Sequence, residues 1–354
     1  MTSDASPVEA PLRVFVSGAG AVGSFLGGLL ASRGHEVALA RRSHPAIPSP
    51  GSLVIERWDG RRIAASARLV RAARDPAPDV VILAMRQFAV ADAVADLAAW
   101  PAVPVVTVQN GVGAEDLVAS LRPAAPLVAA SLTSPIEQPA ADRVAWLGRG
   151  GLGLAVVQGP VEPLLERLAA EFAAAGLPTA HIAEAAAMKW SKLVANLVAN
   201  ATGALLDLDP GAVYADPRLF AVERRQLLEA LAVMRALGLG PVALPGAAVP
   251  LLALGARAPA ILARPVMARI VGGARGGKLP SLRLHLRAGG GPSEVAWLNG
   301  AVATAGARLG VPTPVNRTLA ALVEAASADA ARRDWFRGHP DRLLAALAES
   351  APPA

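Results

Sequence analysis

Residues 189–203, KWSKLVANLVANATG, place an amine and two amides, Lys192, Asn196 and Asn200, four residues apart in an otherwise apolar run. That spacing puts the three on one slightly slanting face of an α-helix. A helix that is apolar on its other faces is buried, and buried amines and amides need partners. A bound polar substrate would supply them; so would a hydrogen-bond network between helices, and the spacing alone does not choose. Residue usage favours the substrate. Of 34 Lys plus Arg, only Lys189, Lys192 and Lys278 are lysines. Arginine stays protonated and cannot serve as a general acid. Lysine can, particularly where burial lowers its pKa. Lys189 lies about 60° around the helix from the stripe and reads as a structural or surface residue.

A second constellation binds rather than reacts. Gly18-Ala19-Gly20-Ala21-Val22-Gly23 fits G-x-G-x-x-G. The pattern is weak alone, but here it follows an apolar strand, LRVFVS at 12–17, and opens a helical pattern running to about Arg33. Gly18 allows a tight turn, Gly20 admits a pyrophosphate, and Gly23 lets helix and strand pack closely, with the helix N-terminus facing the anion. An NAD site expects Asp or Glu at the end of the next strand. Here HEVALA (35–40) runs into Arg41 and Arg42, which suit the 2′-phosphate of NADP(H).

These residues need elements to hold them. Strand patterns at 52–56 and 62–67 bracket the turn WDG and read as a hairpin. Further strands at 79–85, 103–110 and 126–131 alternate with helical stretches, and 141–157 and 160–175 read as strands and a helix. Alternation implies a parallel, doubly wound sheet. After about residue 184 strand patterns nearly vanish and Ala/Leu-rich helical stretches dominate. The expected organisation is α/β: a tail at 1–11, an NADP-binding Rossmann domain at 12–183, and a helical substrate and catalytic domain at 184–350.

Composition narrows the function. The 354 residues are 53% hydrophobic and 18% charged, a globular balance. There is no cysteine, hence no disulfide and no thiolate metal site, and no metal centre is expected. The net charge of +6 comes from scattered arginines, with only 4% aromatic residues, so no nucleic-acid partner is expected. The polar, acidic N-terminus is no signal peptide. The glycines within 14–32 fit a strand-turn-helix rather than a membrane span. A cytoplasmic protein without a membrane partner is expected, with a homodimer possible through the apolar helical domain.

Together these motifs resemble the ketopantoate reductase family (2-dehydropantoate 2-reductase) over about residues 12–325. The resemblance implies a Rossmann domain followed by an all-helical domain like the C-terminal part of 6-phosphogluconate dehydrogenase, with the active site between them. It implies NADPH-dependent reduction of 2-dehydropantoate to pantoate, on the route to pantothenate and coenzyme A. QNGVG at 109–113 matches the family's asparagine-glycine motif, giving Asn110 contacts to cofactor and substrate. WSKLVANLVAN at 190–200 matches its catalytic helix, which makes Lys192 the general acid and Asn196 and Asn200 substrate ligands. SEVAWLNG at 293–300 makes Glu294 the counterpart of a functional glutamate, with a place in catalysis and at the cofactor. Ser281 matches a substrate-binding serine, and GVPTPVN at 310–316 a closing motif that turns into the last helices. Arg86 stands near the cofactor where the family usually has Lys; His285 and Pro210 replace an Asp and an Asn on the substrate side. Reduction of another 2-oxo acid or carbonyl is the first alternative, and a non-catalytic NADPH-binding sensor the second.

Overall fold

The computed structural model describes residues 10–41, 51–71, 76–273 and 279–349. Arg42 and Lys278 lie outside the described residues. The strands are β1 (Arg13–Ser17), β2 (Glu36–Ala40), β3 (Gly51–Arg57), β4 (Arg62–Val70), β5 (Val80–Leu83), β6 (Val105–Thr107), β7 (Leu127–Leu132), β8 (Ile136–Ala140), β9 (Arg143–Trp146), β10 (Leu152–Gln158) and β11 (Thr179–His181). They form one sheet in the order β11-β10-β7-β6-β5-β1-β2-β4-β3-β9-β8. The run from β7 to β4 is parallel. The expected hairpin is present as β3 and β4, paired antiparallel, and it extends the sheet on one side. On the other side β10 pairs antiparallel with β7.

Helices α1 (Ala21–Ser32), α2 (Val90–Ala95), α3 (Ala114–Leu121) and α4 (Glu162–Ala174) cover the sheet. Alternation along β1 shows how both faces are buried. Val14 and Val16 join Phe25 and Leu29 of α1 in one core. Phe15 points the other way and meets Trp100 edge-on, ring centroids 5.2 Å apart. The strand order reverses between β1 and β5. In such sheets ligands bind beyond the carboxyl ends of the strands at that reversal. The loops that follow β1, β5 and β6 carry the glycines, Arg86 and Asn110.

The rest of the described chain is helical: α5 (Ala185–Leu197), α6 (Ala201–Leu206), α7 (Pro210–Ala215), α8 (Pro217–Ala236), α9 (Val249–Arg257), α10 (Ala260–Gly273), α11 (Ser281–Arg287), α12 (Asn299–Leu309), α13 (Pro314–Ala328), α14 (Ala330–Phe336) and α15 (Pro340–Glu349). Its core joins Leu193 and Leu197 to Tyr214, Phe220, Leu227 and Leu319. Among the described residues no helix is long and apolar enough to cross a membrane.

The stripe at 192, 196 and 200 is not carried by one helix. α5 ends at Leu197, Val198 leaves helical geometry at ψ 112°, and Ala199 takes φ +47°. Asn200 then caps α6. The physical reason lies on α8. Glu223 Oε2 accepts from the Ala199 amide at 2.7 Å, and Gln226 Nε2 donates to the Leu197 carbonyl at 3.3 Å. The Ala199 amide is thereby satisfied inside the core, and the Leu197 carbonyl, which also accepts from the Asn200 amide at 3.1 Å, gains a second donor. No glycine or proline marks the break in sequence.

Candidate active site

The glycine loop shows why each glycine is needed. Gly18 has φ +106°, and a Cβ there would stand 2.9 Å from the Ala84 carbonyl carbon. A Cβ on Gly23 would stand 1.9 Å from the Gly18 oxygen, so helix and loop meet only because the side chain is absent. Gly20 is the opposite case: a Cβ there meets nothing within 4 Å. That open side is the room a pyrophosphate requires. Gly18 and Ala19 donate their amides to the Ala40 carbonyl at 3.2 and 3.0 Å, tying the loop to the end of β2. The amides opening α1, among them Ala21 and Val22, have no partners within the helix and suit an anion. Arg41 follows β2 directly, anchored by its amide on the Val70 carbonyl at 3.0 Å. The loop therefore fits a dinucleotide.

A cleft of about 270 Å³ lies between this loop and the helices. Val22 of the loop, Asn110, Lys192, Asn196, Asn200 and Ser281 all line it. The break after α5 thus leaves the three stripe residues facing one space. Asn196 Nδ2 donates to Asn110 Oδ1 at 3.2 Å across the two halves of the chain. Asn200 Oδ1 accepts from the Leu282 amide at 3.2 Å, which holds the start of α11, and with it Ser281, against the cleft. On the sheet side the wall mixes apolar Val108, Leu132 and Ile136 with Thr133 and Ser134.

Glu294 stands apart from this set. It begins a 3-10 turn (Glu294–Trp297), faces Arg86, and accepts from the Gln87 amide. Burial pushes its carboxyl above the ordinary range, against the pull of Arg86 and that amide. Glu294 and the exposed Arg86 therefore form a charged group beside the loop after β5. His285 does not line the cleft; it is buried with Nε2 3.3 Å from Ser327 Oγ. Burial, and then the Arg86 charge, lower its pKa. Pro210 is likewise absent from the lining and opens α7, where its fixed φ suits a first helical turn.

Gly111 explains the asparagine-glycine motif. Its φ is +83°, and a Cβ would stand 2.2 Å from the Trp297 carbonyl oxygen. The next amide, Val112, donates to that same carbonyl at 3.3 Å. A second tie joins the halves: Thr133 Oγ1 accepts from the Gly151 amide at 2.8 Å and donates to the Pro245 carbonyl.

Several contributors escape sequence reasoning. Glu223 is fully buried under the helix break, and burial pushes its carboxyl up to about 7, against the pull of the Ala199 amide and of neighbouring Thr202, Gln226 and Tyr214. The closing motif supplies Asn316, which donates to Gln226 O and Glu229 Oε2, both at 2.9 Å. Asn299 Nδ2 donates to Gln226 Oε1 at 2.9 Å. This network backs the break from behind. Lys189 is buried and not at the surface.

Comparison with known proteins points to one family. Residues 14–159 match the family model described as ketopantoate reductase PanE/ApbA, and residues 184–327 match that of its C-terminal part. A 2-dehydropantoate 2-reductase of Halobacterium salinarum is 29% identical over 90% of this chain and 100% of its own length. The crystal structure of a PanE/ApbA family ketopantoate reductase from Ralstonia eutropha covers 90% of this chain and 99% of its own, at 29% identity and TM-score 0.72. A D-mandelate dehydrogenase complex with NADH and anilino(oxo)acetate shares the fold, with TM-score 0.75 at 20% identity over 90% of this chain and 99% of its own. The two matched regions span both the glycine loop and the lysine helix, and the chain belongs to the ketopantoate reductase family.

Proposed function

We propose that the protein reduces 2-dehydropantoate to pantoate with NADPH, as a step toward pantothenate and coenzyme A. The observation that supports this most is the shared cleft: Lys192, Asn110, Asn196, Asn200 and Ser281 line one space that reaches Val22 of the dinucleotide loop. The loop and Arg41 would hold the cofactor, whose reduced nicotinamide supplies the hydride when bound. Lys192 stabilises the negative charge that grows on the substrate carbonyl oxygen and donates the proton to it. Asn196, Asn200 and Ser281 orient the hydroxyl and carboxylate, which fixes the angle of attack. Asn110, bonded to Asn196, holds the point where cofactor and substrate meet. Arg86 offers a positive charge beside the cofactor, and Glu294 braces that loop or binds a ribose hydroxyl.

A second reading, reduction of a different 2-oxo acid, rests on the departures of Pro210 and His285 from the family's substrate-side pattern. Steady-state NADPH oxidation with 2-dehydropantoate beside a panel of 2-oxo acids tests both. The highest kcat/KM for 2-dehydropantoate supports the first reading, and a better panel member replaces it. In the same assay NADPH is preferred over NADH. Arg41→Ala weakens NADPH binding about tenfold, the order of one charge-assisted contact. Equal use of both cofactors contradicts the assignment of Arg41.

A further inference from the structure

Lys189 precedes Lys192 by one turn of α5 and is 3% exposed. Its Nζ stands 2.6 Å from the Gln109 carbonyl oxygen and 3.0 Å from Glu115 Oε1. Glu115 is itself buried, in the first turn of α3, and its Oε1 also accepts from Thr107 Oγ1 at 2.8 Å. The Gln109 side chain runs the other way, donating from Nε2 to the Leu83 and Met85 carbonyls at 2.8 and 3.2 Å. Gln109 is thus fastened through its side chain to the end of β5 and through its carbonyl to α5. The next residue is Asn110, whose amide oxygen accepts from Asn196 on that same helix.

We infer that Lys189 is a positioning residue: its ammonium, held between the Gln109 carbonyl and the Glu115 carboxylate, fixes Asn110 relative to Lys192. The loop after β6 belongs to the sheet half of the molecule and Lys192 to the helical half. Apart from this clamp, the Asn110–Asn196 bond joins the same loop to the same helix through amides at the edge of the cleft, where substrate competes for them. The clamp uses a charged, buried contact that substrate does not reach. Its chemistry also accounts for a lysine here in an arginine-rich chain. One tetrahedral nitrogen reaches a carbonyl and a carboxylate at once, whereas a guanidinium is a planar fork that matches a carboxylate edge-on.

The inference rests on the reaction assigned above, and its test separates the two. Lys189→Met alone leaves Glu115 buried without its cation, a change that unfolds many proteins. Lys189→Met with Glu115→Gln removes both charges and keeps an acceptor for Thr107. Three quantities are measured on this double variant and on the wild type: melting temperature, hydrogen–deuterium exchange of residues 108–113, and steady-state kinetics on the 2-oxo acid the wild type uses best. The expected result is a melting temperature close to wild type, faster exchange at Gly111 and Val112, and kcat/KM reduced ~10–100-fold, the order of a 1 Å misplacement. Most of that loss falls in kcat, and Lys189→Arg does not restore it. Wild-type exchange, or wild-type kinetics whatever the exchange, overturns the inference. If the wild type reduces no 2-oxo acid, the assigned reaction fails, and exchange at 108–113 alone decides whether Lys189 places Asn110.

Discussion

At the cofactor end of the cleft the backbone is shaped by Gly18, Gly20 and Gly23, all within six residues of chain. At the end lined by Asn196 and Asn200 it is shaped by Glu223 and Gln226, which lie 24 and 29 residues from the groups they hold. The first end is built by leaving side chains out. The second is built by burying polar side chains where they force an L-residue, Ala199, into left-handed geometry. The contrast teaches that a rigid binding loop can be written locally, while a bent helix that turns two amides toward one space needs a distant scaffold.

Breaking the cofactor end gives the larger effect. Gly23→Val puts atoms where the Gly18 oxygen already stands, and NADPH affinity falls at least ~100-fold, as measured by fluorescence titration, because loop and helix N-terminus no longer meet the pyrophosphate together. Retained affinity would show that the loop is not the anion site.

The end at the helix break is expected to respond to pH. The folded pKa of Glu223, about 7, lies above its ordinary 4.5. The stability it contributes is therefore full below pH 4.5 and is lost as pH rises through about 7. The loss amounts to about 3 kcal/mol from one group. Glu223→Gln keeps an acceptor for the Ala199 amide and removes the titration. Urea unfolding at pH 5 and pH 8 should show the wild type losing stability relative to the variant. An identical pH dependence in both would place the titration elsewhere.

The smallest effect sharpens the contrast by relieving it. Ala199 at φ +47° carries strain of about 1–2 kcal/mol that glycine does not. Ala199→Gly gives back about 0.4–1 kcal/mol through the freer unfolded chain, so a net gain near 0.5–1 kcal/mol is expected in denaturant melts. A loss of stability would mean that the Ala199 methyl contributes more through packing than its backbone loses through strain.

The same contrast explains what could be read from the sequence. The glycine loop, the alternating strands and the arginine after β2 are legible because each depends on neighbours within a few residues. Asn110, Ser281 and Glu294 become visible only through family resemblance, since nothing in their spacing brings them together. The break at Ala199 was hidden because an unbroken apolar pattern with i, i+4 polar positions describes a straight helix equally well. Lys189 was hidden for a related reason: its angle on the helix excludes it from the stripe, but only the fold shows that this neighbouring face meets Glu115. Asn299 and Asn316, behind the break, are ordinary helix-start residues until Gln226 is placed between them.

The claim that joins both ends is that Lys192 delivers the proton while the loop holds the cofactor. It is tested by Lys192→Ala in NADPH oxidation with 2-dehydropantoate, alongside NADPH binding by fluorescence. The account predicts kcat lower by at least ~100-fold, with cofactor affinity within about twofold of wild type because Lys192 is no part of the loop. A variant that turns over at near wild-type rate contradicts it.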